Sequence, residues 1–308
     1  MLKKASLITL MLFGGSLSPA GQAATAGAAT TPAEGKTPGE IVAQAPKSDW
    51  RAIAADDLLV MDLGNDKRVI IELTPKQISN QHRNNVVALA RAHWWDNIAI
   101  TRVQDNYVVQ WGTPSSARAL PKGAVAHPRQ SYEFPRSNSG YRPVKSRDSY
   151  APDVGMVGDF PAASNGNTAW FTHCYGTLGV GRDYAPDTGN GTELYIAIGQ
   201  PPRHMDRNLA VVGRVIEGMH YIATMPRGSA PMGYISETDP PAGTIQSIRL
   251  MSELPRHEQT AYEVLDTLSP SFDQYVQARS HRLDSFFTIS ADGADICSMI
   301  PPVRKATS

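Results

Sequence analysis

Short runs rich in Val, Ile and Tyr, separated by turns that contain Gly or Pro, recur along most of the chain and constrain the fold more than any other feature. They occupy 58–63, 68–73, 98–102, 107–110, 169–174, 178–182, 194–198, 210–216 and 244–251. Between them, only 79–92 turns to helical spacing, with Val86, Leu89, Ala90 and His93 three or four residues apart. So many strands beside one or two helices exclude alternating strand-helix units. The expected class is mainly β, a closed antiparallel barrel, because closure removes the edges along which strands aggregate.

The first two runs flank Gly64-Asn65-Asp66 and read as a hairpin with Val69, Ile71 and Leu73 on one face and Arg68, Ile70 and Glu72 on the other. Upstream, residues 1–23 read as an export signal: Lys3 and Lys4 precede a short apolar run from Leu7 to Phe13, followed by small residues. That run is too short to span a bilayer, no later stretch is long enough, and no Cys lies near it to accept a lipid. The mature protein is expected to be periplasmic or otherwise exported, with no stable membrane insertion. Residues 24–50, rich in Ala, Thr, Pro and Gly, are expected to form a flexible linker. The barrel domain is placed at 51–251, with a Pro-, Ser- and Arg-rich insertion at about 114–165. Residues 252–308 are expected to form a helical C-terminal extension, since Ser269 and Pro270 suit N-cap and N1 positions ahead of Phe272, Tyr275, Val276, Arg279 and Leu283.

Several chemistries find no support. The 29 Lys+Arg are matched by 29 Asp+Glu, so the counterion release that drives nonspecific nucleic-acid binding has no basic excess to draw on. There is no Gly-x-Ser-x-Gly elbow and no phosphate-binding loop, and Gly176, Gly179 and Gly181 give only a scrambled dinucleotide signature. The eight His residues show no metalloprotease spacing. Neighbouring strand residues point to opposite faces, which disfavours His173 and Cys174 as a nucleophile pair. Cys174 and Cys297 are the only thiols; export would permit a disulfide, and the alternative is two separately buried thiols.

From Trp95 to Gly112, a small turn leads to a strand ending Ile100-Thr101-Arg102, then to Tyr107-Val108-Val109-Gln110. This resembles the core motif of the cyclophilins. Further blocks agree in order: Gly176-Thr177-Leu178 resembles the family's Gly-x-Leu strand, and Gly191-Thr192-Glu193-Leu194-Tyr195 its Gly-Ser-Gln-Phe-Phe segment. Met205-Asp206 followed by Val212-Gly213-Arg214-Val215-Ile216-Glu217-Gly218-Met219 resembles its Leu-Asp and Phe-Gly-x-Val-x-x-Gly-Met signatures. The resemblance implies an eight-stranded barrel capped by two helices, in an exported bacterial peptidyl-prolyl cis/trans isomerase that works without a cofactor.

It further implies that Arg102 is the catalytic arginine and Gln110 its polar partner. Tyr107 and Val108 replace a Phe and a Met of the proline pocket, Tyr195 a Phe, and Met205 a Leu. Glu193 stands for a Gln, Leu209 for a His, and His204 for a tryptophan that varies among bacterial members; Leu194 falls in the same substrate segment. Partners would be proline-containing peptides and unfolded exported proteins, with the protein acting as a monomer and taking no nucleic acid. A noncatalytic peptide-binding or chaperone module is the competing reading, supported by Glu193, His204 and Leu209. A secreted hydrolase is disfavoured by the missing nucleophile motifs.

Overall fold

The structure, a computed structural model, describes residues 35–306 except 79, 114–117, 201, 283, 285 and 288. The expected export signal and Leu283 therefore lie outside the described residues. Helix α1 (Pro38–Gln44) opens on a capping box: the Thr37 hydroxyl accepts from the Glu40 N–H while the Glu40 carboxylate accepts from the Thr37 N–H. Together with strand β1 (Trp50–Ile53) it takes the place of the later half of the expected linker. Strands β2 (Leu58–Asp62) and β3 (Arg68–Leu73) form the hairpin, whose turn holds Gly64, Asn65 and Asp66 at φ of 78°, 52° and 59°. Helix α2 (Gln81–Arg91) is capped by Asn80 and buries Val86, Leu89 and Ala90 in the barrel core. Strands β4 (Ile98–Gln104) and β5 (Val108–Gly112) follow.

The Pro-rich insertion is not strand-free. It builds β6 (Phe134–Pro135), β7 (Tyr141–Val144), β8 (Asp153–Val157) and β9 (Phe160–Ser164), which join β10 (Thr168–Phe171) in a five-stranded sheet of order β6-β10-β9-β8-β7. The run at 169–174, read above as a barrel strand, thus belongs to this second sheet. Gly155, Pro161, Ala162 and Ala163 have low strand propensity, and burial of all five β9 residues outweighs it. Pro135 and Pro143 sit on the two edge strands, where a missing N–H need not break a ladder.

The barrel is completed by β11 (Thr177–Val180), β12 (Glu193–Ala197), β13 (Val211–Glu217), the short helix α3 (Met219–Ala223), β14 (Thr244–Ile245) and β15 (Ser247–Leu250). Its nine strands run β14-β4-β5-β12-β11-β13-β3-β2-β15. The two end strands are halves of one segment, split at Gln246. That residue donates its N–H to Asp62 O (2.8 Å) on one side and accepts from Asn97 N (3.3 Å) on the other. Counting the split segment once gives the eight-stranded closure that the resemblance implies. Trp95, Trp111, Ile71, Leu178 and Leu194 fill the interior, and α2 and α3 pack against it.

The C-terminal region holds the expected helix and adds strands beside it. Strand β16 (Tyr262–Leu265), helix α4 (Pro270–Ser280) and strand β17 (Val303–Lys305) alternate, and the strands pair with β1 in a sheet of order β1-β16-β17. Ser269 caps α4 by accepting from Phe272 N at 3.1 Å. This sheet covers the outer face of the hairpin, so Leu58, Val60 and Ile70 are buried with Ile53, Tyr262 and Val264. A second core gathers Ile41, Trp50, Trp170, Phe272, Tyr275 and Met299 from α1, β1, the insertion sheet and the C-terminal region. Cys174 and Cys297 are joined by a disulfide across 123 residues of chain.

Where these layers meet, Arg214 Nε donates to Glu72 Oε2 at 2.8 Å, Arg214 also donates to Pro301 O, and Arg51 pairs with Asp159. Burial pushes the Glu72 carboxyl up to about 7, opposed by Arg214 and reinforced by Asp159. Among the described residues, no helix is long and apolar enough to cross a membrane.

Candidate functional site

The site is a row across neighbouring strands. Register pairs Arg102 on β4 with Gln110 on β5, Gln110 with Tyr195 on β12, and Tyr195 with Gly179 on β11. A bulge between Ile100 and Arg102 makes the row possible. Strict alternation would send Ile100 and Arg102 to one face; the irregularity lets Ile100 and Val103 both enter the barrel core while Arg102 turns outward.

Arg102 is 7% exposed and held by three neutral acceptors. Its Nε donates to Met232 O at 2.7 Å, one terminal nitrogen donates to Gln110 Oε1 at 3.2 Å, and the other donates to Gln104 Oε1. The guanidinium carbon lies 5.4 Å from the Tyr107 ring centroid and 5.5 Å from that of Tyr234. Among the described residues no carboxylate forms an ion pair with it, so its positive charge is not neutralised locally. A guanidinium carries five N–H donors. With one N–H spent on each acceptor, one at each terminal nitrogen is left over.

Val108, Tyr195 and Met205 form one buried cluster, with Tyr107 and Leu209 packed on it half-buried. His204 is exposed and stacks on Tyr107, ring centroids 5.7 Å apart and planes 11° from parallel. Tyr107, His204, Met205 and Leu209, with Arg182 and Tyr184, line an open cleft of about 400 Å³. Glu193 is half-buried two residues from Tyr195, and burial, with Asp187 and Asp183 nearby, holds its carboxyl above the ordinary range. Leu194 is the exception among the residues singled out from the sequence. It lies between Glu193 and Tyr195 on β12, so the pleat turns it into the barrel core, away from the cleft.

Sequence reasoning passed over Gln104, Met232 and Tyr234, which hold Arg102. The loop that carries the last two runs beside β4: Ile235 N donates to Thr101 O and Gly228 N to Val103 O, both at 3.0 Å. Gly233, at φ 78°, has no room for a side chain, since a Cβ would meet Gln104 Cα at 2.5 Å. No strand pattern marks this loop, and only the Pro-Met-Gly turn hinted at it. Among the described residues, no group of three or more His, Cys, Asp or Glu side chains is placed to hold a metal ion.

Known proteins share the family and the fold of this chain. A family model described as cyclophilin type peptidyl-prolyl cis-trans isomerase matches residues 58–248, more than half of the 308-residue chain. Among solved structures, cyclophilin AquaCyp293 from Hirschia baltica is similar in fold, with a TM-score of 0.63 at 18% identity over 84% of this chain and 94% of its own. A cyclophilin type peptidyl-prolyl cis-trans isomerase of Cryptosporidium parvum, solved in the presence of the dipeptide ala-pro, matches with a TM-score of 0.38 at 14% identity over 63% of this chain and 98% of its own. No curated protein matches the chain.

Proposed function

Because the chain belongs to the cyclophilin-type peptidyl-prolyl cis-trans isomerases, we propose that Arg102, Gln110 and the cleft beside them carry out its reaction, on proline-containing segments of exported proteins. Rotation about an X-Pro bond passes through a twisted amide at a barrier of about 18–20 kcal/mol. No covalent bond breaks, so the site needs only to bind the twisted form better than either planar form. The pyrrolidine ring enters the cleft between Tyr107, Val108, Tyr195, Met205 and Leu209, and the residue before proline does the turning.

Arg102 supplies the differential binding. As the amide twists, its nitrogen becomes pyramidal and gains a lone pair that accepts a hydrogen bond, which the planar amide nitrogen does not offer. One of the two N–H groups left over on the guanidinium donates there, while Gln110 orients both the peptide and the arginine. Lowering the barrier by about 7 kcal/mol gives roughly 10⁵-fold acceleration. The carrying observation is the buried, permanently charged Arg102, held by three neutral acceptors beside the cleft.

Export to the periplasm or beyond is supported by the signal-like residues 1–23 and by a disulfide, which suits an oxidising compartment. Unfolded exported chains would be natural clients of a monomer whose proline cleft opens to solvent. A protease-coupled assay on a short X-Pro peptide tests the catalytic reading. Turnover well above the uncatalysed rate supports it, and peptide binding without turnover would instead mark a noncatalytic binding module.

A further inference from the structure

Tyr195 carries a hydroxyl into an apolar wall, at a position where the family resemblance has a Phe. The residue is 4% exposed, so that hydroxyl needs a partner inside the protein. It finds His173, whose Nε2 lies 2.7 Å from the Tyr195 oxygen. His173 is fully buried, is not among the cleft residues described above, and follows β10 on the way to β11. Burial also holds the Tyr195 phenol well above its ordinary range, which keeps it an O–H donor.

The second ring nitrogen of His173 is also engaged. Asp206 Oδ1 accepts from the His173 backbone N–H at 2.8 Å and lies 3.1 Å from Nδ1. A carboxylate only accepts, so Nδ1 carries hydrogen, and in the neutral imidazole Nε2 is the nitrogen that accepts from Tyr195. Asp206 Oδ2 accepts from Arg203 Nε at 2.5 Å, and the two terminal nitrogens of Arg203 donate to Asp148 at 2.7 and 3.1 Å. Arg203 is 1% exposed, and the side chain of Asp148 equally so. The chain Tyr195-His173-Asp206-Arg203-Asp148 thus runs unbroken from the pocket to the loop between β7 and β8 of the insertion.

The middle of this chain is also the other wall of the pocket. Arg203, His204, Met205 and Asp206 share one tight turn: Arg203 and Asp206 join the buried network, while His204 and Met205 line the cleft. Gly179 completes the arrangement, since a Cβ there would lie 2.2 Å from the Tyr195 hydroxyl oxygen. The tyrosine, the histidine that receives its hydroxyl and the glycine that leaves it room form one built unit.

We infer that His173 is a positioning residue for the proline pocket: by holding Tyr195 through Nε2 and the Met205 turn through Asp206, it sets the spacing of the two walls that grip the pyrrolidine ring. The inference rests on the isomerase reading of the site and deepens it. Its effect is on substrate grip more than on the rotation step, because no member of the network bonds to Arg102 or Gln110.

The test is a double-variant cycle with His173→Leu, Tyr195→Phe and the pair, following KM and kcat on a short Ala-Pro peptide. Tyr195→Phe removes the buried hydrogen bond outright, and because a glutamine amide could still accept it, the histidine is replaced by leucine; each single change should then raise KM by about three- to tenfold. For His173→Leu, kcat should fall less than twofold. The pair should be little worse than the worse single variant, because the bond can be lost only once. A merely structural histidine would lower the melting temperature and the active fraction, cutting apparent kcat while leaving KM unchanged. Unchanged KM in both singles, or multiplicative losses in the pair, overturns the inference. Should His173→Leu fail to fold, Asp148→Asn loosens the same chain from its far end and should raise KM in the same direction; an unchanged KM there counts against the proposal. A parent protein without turnover would sink the isomerase reading alone. Peptide affinity by titration then replaces KM: weaker binding in the singles supports the wall-spacing role, and equal binding, or none in the parent, refutes it.

Discussion

Replacing Arg102 tests the mechanism most directly, and the structure sets the size of the effect. Arg102→Lys keeps the charge but offers one compact ammonium in place of a planar fork. It cannot meet Met232 O, Gln110 Oε1 and Gln104 Oε1 together and still donate to a prolyl nitrogen. Arg102→Ala loses every donor. One charge-assisted hydrogen bond made only in the twisted state is worth about 1.5–3 kcal/mol, so either change should lower kcat/KM about tenfold to 150-fold. Alanine belongs at the upper end or beyond. Because Arg102 also anchors the Met232 carbonyl, both variants should lose about 1–3 kcal/mol of stability, with hydrogen exchange rising first in residues 228–235. Turnover comes from the protease-coupled X-Pro assay and folding from circular dichroism and urea titration. A well-folded Arg102→Ala protein with parental kcat/KM would remove Arg102 from the mechanism, whatever the family resemblance.

Three other perturbations have defined outcomes. Glu72 binds its proton more tightly folded than unfolded, so between its ordinary 4.5 and about 7 the native state holds the extra proton and stability falls as pH rises through that window; Glu72→Gln should flatten the decline in melting temperature between pH 5 and 8, and an unaltered slope would assign the decline to other groups. Cys297→Ser opens a crosslink spanning 123 residues and should cost about 4–5 kcal/mol in the chain-entropy account, read as a lower urea midpoint; an unchanged midpoint would show that the C-terminal region is held without it. By the resemblance, His204 stands where cyclophilins carry the indole that packs on cyclosporin; if so, the parent should bind that drug weakly and His204→Trp should tighten inhibition, and low-nanomolar inhibition of the parent would contradict the placement of this turn.

The barrel was legible because its strands are β-branched runs between Gly and Pro turns, and the row Arg102, Gln110, Tyr195 was legible because those residues stand at family spacing. What escaped reading follows from packing. Residues 153–164 contain Gly155, Pro161, Ala162 and Ala163, whose strand conformation comes from burial and not from propensity. Helix α1 hid in an Ala- and Pro-rich stretch although Thr37 and Glu40 have capping-box spacing. Leu194 was misplaced because a contiguous motif names residues on both faces of a strand, and only pleat parity separates Tyr195 from its neighbour. The partners of Arg102 and Tyr195, Met232 and His173, come from distant loops, and nothing local announces such meetings.

Strand β1 has a consequence for the order in which the molecule is made. Trp50 pairs with Leu265, so a strand made ahead of the barrel waits more than two hundred residues for its partner. All barrel strands, from 58 to 250, emerge during that wait, with Gln246 already available to join the two ends of the sheet. A chain that stops short of β16 would then carry all the barrel strands with Leu58, Val60 and Ile70 bare on their flank, a greasy surface of the kind that chaperones and proteases bind. Covering that flank therefore has to wait for residues 262–305, which ties the outer sheet to the late-made part of the chain.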